Sequence, residues 1–255
     1  MVDTVKISSC ELINTDCLEF IQTLSENSVD LIVTDPPYFK VKPEGWDNQW
    51  KGDDDYLKWL DQCLAQFWRV LKPAGSLYLF CGHRLASDIE IMMRERFNVL
   101  NHIIWAKPSG RWNGCNKESL RAYFPATERI TYSELNRQYA SLLEEYKSLR
   151  RYFSVSAAVP YTDVWTHKPV QYYPGKHPCE KPADMLRQII SASSRPGDVV
   201  ADFFMGSGAT IKAAMGLGRR TIGVELESGR FEQTVGEILV LNDKLRNAQL
   251  DKNRS

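Results

Sequence analysis

Short apolar runs and longer amphipathic stretches alternate along most of this chain. Runs rich in β-branched and aromatic residues predict strands over residues 5–13, 31–34, 76–81, 98–105, 199–203 and 219–224. Apolar residues that recur every three or four positions predict helices over residues 53–71, 84–96, 182–194 and 227–245. Strands that alternate with helices in this way form a mostly parallel sheet covered by helices. The pattern therefore predicts an α/β domain.

Two stretches, residues 39–54 and 107–129, lack this periodicity and carry basic and aromatic side chains on predicted loops. Such side chains stack on bases and contact phosphates. An ordinary solvated surface, or tryptophans that pin a loop to the domain, would use the same residues. Together with two residues further along the chain, the candidate DNA contacts are Lys40, Lys42, Trp46, Lys107, Arg111, Trp112, Lys117, Arg121, His167 and Lys168.

Residues 133–153 predict an amphipathic helix. Its apolar stripe consists of Leu135, Tyr139, Leu142, Tyr146, Leu149 and Phe153. We expect this stripe to pack either on the rest of the protein or on a second copy. The residues that follow, 154–174, predict irregular structure. After the last predicted helix, residues 248–255 form a polar tail that we expect to fray.

Length, charge and cysteine usage narrow the class of protein. The chain has 255 residues, a formal net charge of +0 and six cysteines without a Cys-x-x-Cys pair. Zero net charge gives no global basic field, so only local charge could hold a nucleic acid. The scattered cysteines fit a reducing cytoplasm and predict neither a disulfide framework nor a metal site. No apolar run approaches the ~18 residues of a membrane span, and the N-terminus lacks a signal-peptide pattern.

The strand predicted over residues 31–34 ends at Asp35-Pro36-Pro37-Tyr38, a stiff turn. Neither proline can donate a hydrogen bond to the sheet, and each fixes its own φ. The Asp35 carboxylate and the Pro36 carbonyl could accept the two hydrogens of an NH₂ group, and the Tyr38 ring could stack on a flat partner. A flat ring with an exocyclic amine is a nucleobase, so the turn is a candidate catalytic site. A plain strand end with a surface aspartate is the structural alternative.

A glycine-rich turn, Gly206-Ser207-Gly208, follows a predicted strand and opens a helix. It permits close backbone approach and offers N–H groups to an anion. The spacing of a phosphate-binding P-loop is absent, and Ile211 replaces the third glycine of the dinucleotide fingerprint. Glu225 ends the next predicted strand, where an acid can accept hydrogen bonds from ribose hydroxyls. A nucleoside with a carboxylate, such as S-adenosylmethionine, suits this site better than a pyrophosphate.

Three segments carry a resemblance to a known family. In chain order they are Asp35-Pro36-Pro37-Tyr38, His177-Pro178-Cys179-Glu180-Lys181-Pro182 and Asp202-Phe203-Phe204-Met205-Gly206-Ser207-Gly208-Ala209-Thr210. In this order they resemble the amino-methylating DNA methyltransferases, specifically the β class of adenine-N6 enzymes. Residues 107–176 are matched only at their edges. Phe203 stands where the family usually has proline, a change that should alter the turn without removing a ligand.

The resemblance implies a fold and a division of the chain. The fold is a Rossmann-like S-adenosylmethionine-dependent methyltransferase sheet of seven strands, with circularly permuted motif order and a small target-recognition insertion. Residues 1–110 form the catalytic half and residues 175–247 form the cofactor-binding half of one domain. Residues 111–174 form the target-recognition region.

The resemblance also implies roles for individual residues. Asp16 would contact the cofactor adenine, although local pattern alone marks Thr15 or Asp16 as the cap of a short helix that runs through Leu24. Glu225 would contact the ribose, and Lys181 with Ser207 would contact the methionine end. The implied catalytic residues are Asp35, Pro36, Pro37 and Tyr38. The implied cofactor-binding residues are Asp16, Cys17, Lys181, Asp202, Phe204, Gly206, Ser207, Gly208, Thr210 and Glu225.

The implied activity is transfer of methyl from S-adenosylmethionine to the N6 amine of an adenine flipped out of double-stranded DNA, with site-specific or relaxed recognition. Asp35 and the Pro36 carbonyl would concentrate charge on the amine nitrogen, and Tyr38 would stack on the flipped base. Such enzymes belong to bacteria or their phages. We therefore expect a cytoplasmic, nucleoid-associated protein, with a second copy and a cognate restriction endonuclease as candidate partners.

Other functions remain open at this point. Cytosine-N4 methylation uses the same chemistry, although such enzymes commonly have serine at the position of Asp35. A non-catalytic DNA-binding regulator on a methylase fold is a second alternative. Cytosine-C5 methylation needs a thiolate nucleophile, but Cys179 lies inside the Lys181 segment and the Asp35 turn would have no role. Protein-glutamine methylases share a related Pro-Pro-Tyr turn, but their glycine loop comes first in the chain.

Overall fold

The computed structural model of the protein describes residues 3–38, 49–107, 126–135, 153–154, 162–174, 177 and 179–252. Predictions for residues 39–48, 108–125 and 136–152 lie outside these ranges.

The described residues form nine strands: β1 (Asp3–Ile7), β2 (Cys10–Asn14), β3 (Val29–Thr34), β4 (Leu71–Cys81), β5 (Phe97–Ala106), β6 (Thr127–Leu135), β7 (Val164–Thr166), β8 (Val199–Asp202) and β9 (Arg220–Glu225). The same residues form six helices: α1 (Cys17–Ile21), α2 (Asp53–Val70), α3 (Ala86–Arg94), α4 (Ala183–Ser193), α5 (Ala209–Gly216) and α6 (Ser228–Lys252).

The strands of the described ranges join one sheet in the order β1-β2-β9-β8-β3-β4-β6-β5-β7. Strands from β2 to β4 in this order run parallel to one another, whereas β6 is antiparallel to both β4 and β5. The chain leaves β3 towards β4 and leaves β8 in the opposite direction, towards β9. The carboxyl ends of β3 and β8 therefore flank a topological switch point, where ligands bind in open α/β sheets. The predicted α/β architecture is confirmed.

The sheet has two strands more than the resemblance implied. A single weak strand was predicted over residues 5–13, but β1 and β2 form a hairpin there, with Ser8 at a positive φ of 53° in the turn. At the other edge, β7 pairs with β5 within a stretch predicted to be irregular. Both additions lie at the margins and leave the switch point unchanged.

Strand β3 carries the Asp-Pro-Pro-Tyr turn and is buried on both faces. Ile32 belongs to the core that contains α2, whereas Leu31 and Val33 belong to the core that contains α4. A strand covered on both faces has a continuous apolar run rather than an alternating one. Full burial of each such side chain contributes on the order of 1.5–3 kcal/mol. A charged substitution at Ile32 would therefore loosen the strand that positions the turn.

The helix predicted over residues 133–153 is wrong at its start. Ser133 and Leu135 lie in β6, where Ser133 pairs with Leu77 of β4 and Val99 of β5. Pairing on both sides satisfies the backbone of these residues and overrides the helical spacing that begins at Leu135. Because β6 lies between β4 and β5, it belongs to the sheet, although residues 111–174 were predicted to form an insertion. Phe153 stacks on the Tyr132 ring with 5.9 Å between centroids.

The C-terminal boundary also differs from the prediction. Helix α6 continues to Lys252, past the predicted end at residue 245 and into the predicted tail. The extension consists mainly of good helix formers without glycine or proline, so nothing in its sequence stops the helix. No helix within the described ranges combines the length and the apolar character needed to cross a bilayer.

Candidate active site

A cavity of about 580 Å³ opens at the carboxyl edge of the sheet. Four predicted acids lie there because each follows or ends a strand that points at this edge: Asp16 after β2, Asp35 after β3, Asp202 in β8 and Glu225 in β9. The predicted site residues that line the cavity are Asp16, Cys17, Asp35, Pro36, Pro37, Tyr38, Lys181, Asp202, Phe204, Gly206, Ser207, Thr210 and Glu225. The fold thus brings both predicted halves of the site to one cavity.

A hydrogen bond to the neighbouring strand β8 fixes the start of the Asp-Pro-Pro-Tyr turn. The Thr34 hydroxyl donates a hydrogen bond of 2.9 Å to Asp202 Oδ1, which ties the end of β3 to the end of β8. Asp35 Oδ1 is buried and accepts no hydrogen bond from the described residues. An unsatisfied buried acceptor costs free energy unless a ligand supplies a donor. Asp35 Oδ1 is therefore ready to accept an N–H from a bound substrate.

Lys181 occupies the other oxygen of Asp35. Its side chain is 7% exposed, and its ammonium group forms an ion pair with Asp35 Oδ2. The same ammonium lies 3.3 Å from Oε2 of Glu128, whose Oε1 is paired with Lys107. The ammonium also lies over the Tyr38 ring, 5.5 Å from its centroid. The charges of two carboxylates and two ammonium groups thus offset one another next to the Asp-Pro-Pro-Tyr turn.

Burial and charge act in opposite directions on this network. Burial alone would lower the pKa of Lys181, but the charges of Asp35 and Glu128 raise it above its usual range, so the ammonium stays protonated. Burial alone would raise the pKa of Glu128, but the charges of Lys181 and Lys107 lower it. Burial raises the pKa of Asp35, and the Lys181 charge opposes that rise.

The glycine loop holds the acid at the end of β9. Gly206 has a φ of +52°, and its N–H donates a hydrogen bond of 2.8 Å to Glu225 Oε2. The N–H of Glu227 donates to Glu225 Oε1 at 3.0 Å. A carboxylate has about four acceptor sites, so two N–H donors fix its orientation and still leave acceptors for hydroxyl groups in the cavity.

Gly208 belongs to the loop but does not line the cavity, and it lies close to Thr234 instead. Its φ is +68°, and a Cβ there would lie 2.6 Å from Cγ2 of Thr234. The left-handed backbone and the close approach both require glycine at this position.

Asp202 is a buried acid whose described partners are uncharged. It is 4% exposed and accepts hydrogen bonds from the Thr34 hydroxyl and the Phe204 N–H. Burial raises its pKa from 3.8 to about 7, against the lowering effect of those hydrogen bonds. The carboxyl therefore changes its charge near neutral pH.

Asp16 caps α1, as the local pattern predicted. Its Oδ1 accepts hydrogen bonds from the N–H groups of Leu18 at 2.8 Å and Glu19 at 3.3 Å. Cys17 follows it and is buried beside the cavity. The cap holds the Asp16 carboxylate at the cavity wall.

The chain matches the family model described as DNA methylase over residues 29–236. This protein belongs to the DNA methylase family. It is 32% identical over 238 residues to Type II methyltransferase M2.DpnII of Streptococcus pneumoniae, a match that covers 85% of this chain and 84% of that one. It is 31% identical over 235 residues to DNA adenine methyltransferase YhdJ of Escherichia coli K12, with 85% and 78% covered.

A solved structure agrees with this assignment. The crystal structure of M1.HpyAVI in complex with S-adenosylmethionine is similar with a TM-score of 0.68 and 26% identity, and the match covers 90% of this chain and 98% of that one. The Rossmann-like methyltransferase fold that the resemblance implied is confirmed, and so is its class, an S-adenosylmethionine-dependent DNA methyltransferase.

Three predicted DNA contacts of this DNA methylase fall in the described ranges. Lys107 points its ammonium inward to Glu128. His167 Nδ1 lies 2.9 Å from Asp184 Oδ2, so this imidazole also has a protein partner. Lys168 is exposed. The candidates that lie outside the described residues are Lys40, Lys42, Trp46, Arg111, Trp112, Lys117 and Arg121.

The prediction missed several residues of the site, among them His177 and Glu128. His177 lines the cavity, and its ring lies 3.4 Å from where a Cβ on Gly206 would be. Its place in the segment with Lys181 was a signal that could have identified it. Glu128 has no such signal, because only the antiparallel register of β6 brings it next to the Asp-Pro-Pro-Tyr turn.

Proposed function

We propose that this protein methylates the N6 amine of adenine in double-stranded DNA. The observation that carries the proposal is the buried Oδ1 of Asp35, which has no hydrogen-bond partner among the described residues, in a turn whose Asp35 and Pro36 both line the cavity. Two acceptors at this turn match the two N–H bonds of an exocyclic amine. The name of YhdJ as a DNA adenine methyltransferase supports adenine as the base. Members of the family act on adenine N6 or cytosine N4, so cytosine-N4 methylation is the second candidate.

The residues of the second half of the cavity fit S-adenosylmethionine. The volume of about 580 Å³ falls within the roughly 300–1,000 Å³ that is usual for small-molecule sites. Glu225, oriented by two backbone N–H groups, would accept hydrogen bonds from the ribose hydroxyls. Asp16 would accept from the adenine, and the loop at Gly206 and Ser207 would approach the methionine end. When bound, the cofactor supplies an electrophilic methyl group on a sulfonium.

The observed contacts of Lys181 favour a different role from the one that the resemblance implied. The resemblance assigned this residue to the methionine end of the cofactor, but its ammonium is paired with Asp35 and Glu128. We therefore assign to Lys181 the task of favouring the ionised form of Asp35 against the effect of burial, which raises the pKa of this carboxyl. Asp35 and the Pro36 carbonyl would then accept the two amine hydrogens and orient the nitrogen lone pair for attack. Tyr38 would stack on the flipped base.

We assign target recognition to residues 111–174, as the resemblance implies, and DNA contacts to the predicted side chains Lys40, Lys42, Trp46, Arg111, Trp112, Lys117, Arg121 and Lys168. Substitution of phosphate-contacting residues should weaken DNA binding and reduce its dependence on salt. The name Type II methyltransferase carried by M2.DpnII supports action within a restriction–modification system. A cognate endonuclease, a second copy of the chain and residence at the nucleoid in the cytoplasm are further parts of this proposal.

Nucleoside mass spectrometry tests the proposed activity. Purified protein is incubated with S-adenosylmethionine and unmethylated genomic DNA of mixed sequence, and the DNA is then digested to nucleosides. We expect N6-methyladenine. N4-methylcytosine without N6-methyladenine would overturn the base assignment and leave the chemistry of the turn intact. Neither product, in the presence of measurable cofactor binding, would contradict the proposed activity and favour a DNA-binding regulator.

A further inference from the structure

Glu128 lies at the active-site edge of the sheet although no sequence motif marks it. Strand β6 runs antiparallel to β4, so its first residues lie beside the carboxyl end of β4, where Arg129 pairs with Cys81. On the other side, Glu128 pairs with Trp105 of β5. The register of β6 therefore places the Glu128 carboxylate next to the Asp-Pro-Pro-Tyr turn.

Both oxygens of Glu128 are engaged with residues of the site. Oε1 forms an ion pair with Lys107. Oε2 lies 3.3 Å from the Lys181 ammonium and accepts a hydrogen bond of 3.4 Å from the Tyr38 hydroxyl. The Glu128 side chain is 17% exposed and does not line the cavity. Glu128 thus contacts two residues that line the cavity without reaching the cavity itself.

The position of Lys181 depends on two carboxylates that lie on different strands. Asp35 belongs to the turn after β3, and Glu128 belongs to β6, so the ammonium is held between two elements. A lysine side chain has four rotatable bonds and many rotamers when it has a single partner. Held by both carboxylates, with the Cys179 carbonyl as a longer contact at 3.4 Å, the ammonium stays against Asp35 Oδ2 and leaves Oδ1 as the free acceptor.

We propose that Glu128 is a positioning residue for methyl transfer. It fixes the Lys181 ammonium against one oxygen of Asp35 and fixes the Tyr38 ring through its hydroxyl, so that the other Asp35 oxygen and the ring meet the target base in one geometry. The inference rests on the proposed function and extends it to a residue outside the cavity. Loss of the Glu128 charge disturbs the amine acceptor while the cofactor loop, held by Glu225 and Gly206, stays in place.

The test is Glu128→Gln, with Glu134→Gln as the matched control. Glu134 lies on the same strand, but its described partner, the Asn98 amide at 3.0 Å, is at an exposed position away from the turn. The measurements are the single-turnover rate of methyl transfer, the calorimetric dissociation constant of S-adenosylmethionine, and the thermal midpoint. Single-turnover conditions exclude product release, which limits many enzymes.

We expect Glu128→Gln to slow methyl transfer by about 100-fold, as small misplacements in active sites do, and to change cofactor affinity by less than about twofold. Glu134→Gln should behave as the wild type. Glu128→Asp, which keeps the charge, should recover part of the rate.

Several results would overturn the inference. A Glu128→Gln rate within about threefold of the wild type would do so, as would a rate loss accompanied by an equal loss of cofactor affinity. If Glu128→Gln does not fold, Glu128→Asp decides: an unchanged rate in that variant contradicts a positioning role. A wild-type protein that methylates no adenine refutes the proposed function itself, and the inference falls with it. An active wild type with an unaffected variant refutes the inference alone.

Discussion

The two halves of the cavity hold their buried acids in different ways. In the catalytic half, Asp35 is paired with the ammonium of Lys181, which stands 146 positions away in the chain. In the cofactor half, Glu225 is held by backbone N–H groups, and Asp202 is held by a hydroxyl and a backbone N–H.

This difference has consequences for charge. Burial raises the pKa of the carboxyl in both halves, but the opposing effect comes from the charge of Lys181 at Asp35 and from uncharged hydrogen-bond donors at Asp202. The catalytic half therefore depends on an ion pair. The cofactor half depends on the backbone geometry of a loop and on pH.

The largest expected effect comes from breaking the ion pair. Lys181→Met leaves the buried Asp35 and Glu128 without their shared cation, which should cost about 3–5 kcal/mol of unfolding free energy. The matched control is Lys6→Met, because Lys6 is 71% exposed and paired with Glu11 at 3.3 Å. Exposed pairs contribute about 0–1 kcal/mol. Urea unfolding measures both, and equal losses would contradict the distinction between a buried and an exposed pair.

The pH dependence of the cofactor half should be nearly as large. The pKa of Asp202 rises from 3.8 to about 7 on folding, so the folded state binds more protons than the unfolded state between these values. Stability from this group is complete below about pH 4 and is lost as the pH rises to 7, by up to about 4 kcal/mol. Asp202→Asn cannot ionise and should lack this loss.

Urea unfolding at pH 5 and pH 8 checks the Asp202 prediction. Asp202→Asn should exceed the wild type by roughly 2 kcal/mol at pH 5 and by roughly 4 kcal/mol at pH 8, because the wild type loses stability as its carboxyl ionises. A difference between the two proteins that does not change with pH would show that Asp202 does not titrate in this range.

Replacing a glycine of the loop should have an intermediate effect. Gly208→Ala places a Cβ 2.6 Å from Thr234 at a φ of +68°, so we expect a loss of about 2–3 kcal/mol and weaker cofactor binding. Gly216→Ala is the control, because nothing lies within 4 Å of its Cβ at the end of α5. The control should gain about 0.4–1 kcal/mol. Two losses of similar size would contradict the account of the loop.

Substitutions of Asp16 should have the smallest effect, and they separate its role as a helix cap from its proposed contact with the cofactor. Asp16→Ala removes the cap of α1 and should cost about 1 kcal/mol, whereas Asp16→Asn keeps a capping oxygen and should cost a few tenths. If Asp16 also contacts the cofactor, both variants should bind S-adenosylmethionine more weakly. Cofactor affinity that falls only in Asp16→Ala would assign the effect to the cap.

The site residues that could be predicted from the sequence alone are those that lie near the ends of strands. Asp35, Asp202, Gly206 and Glu225 were predictable because each sits at the end of a strand whose apolar run is local and readable. Parallel strands bring such ends to one edge whatever the details of packing. Most of the predicted site therefore lines one cavity.

Other features depend on pairing between distant segments and were not predictable. The Lys181 partner lies 146 positions away, and Glu128 reaches the turn only through the register of β6. Residues 133–135 of β6 were mistaken for the start of a helix, because Leu135 begins a helical spacing, and residues 127–129 were mistaken for part of a loop. The inward contact of Lys107 follows from Glu128 and could not be foreseen without it.

The most direct test of the central claim compares Asp35→Asn with the wild type in two measurements on the same preparations. Asparagine keeps the shape of the side chain but removes the charge and turns one oxygen into a donor. Asp243→Asn, at an exposed position of α6, is the control. The measured quantities are the dissociation constant of S-adenosylmethionine and the single-turnover formation of N6-methyladenine. We predict that Asp35→Asn binds the cofactor within about threefold of the wild type and loses methyl transfer by at least about 1,000-fold, the scale of a lost transition-state acceptor. Methyl transfer at the wild-type rate in Asp35→Asn would contradict the claim that this carboxylate holds the target amine.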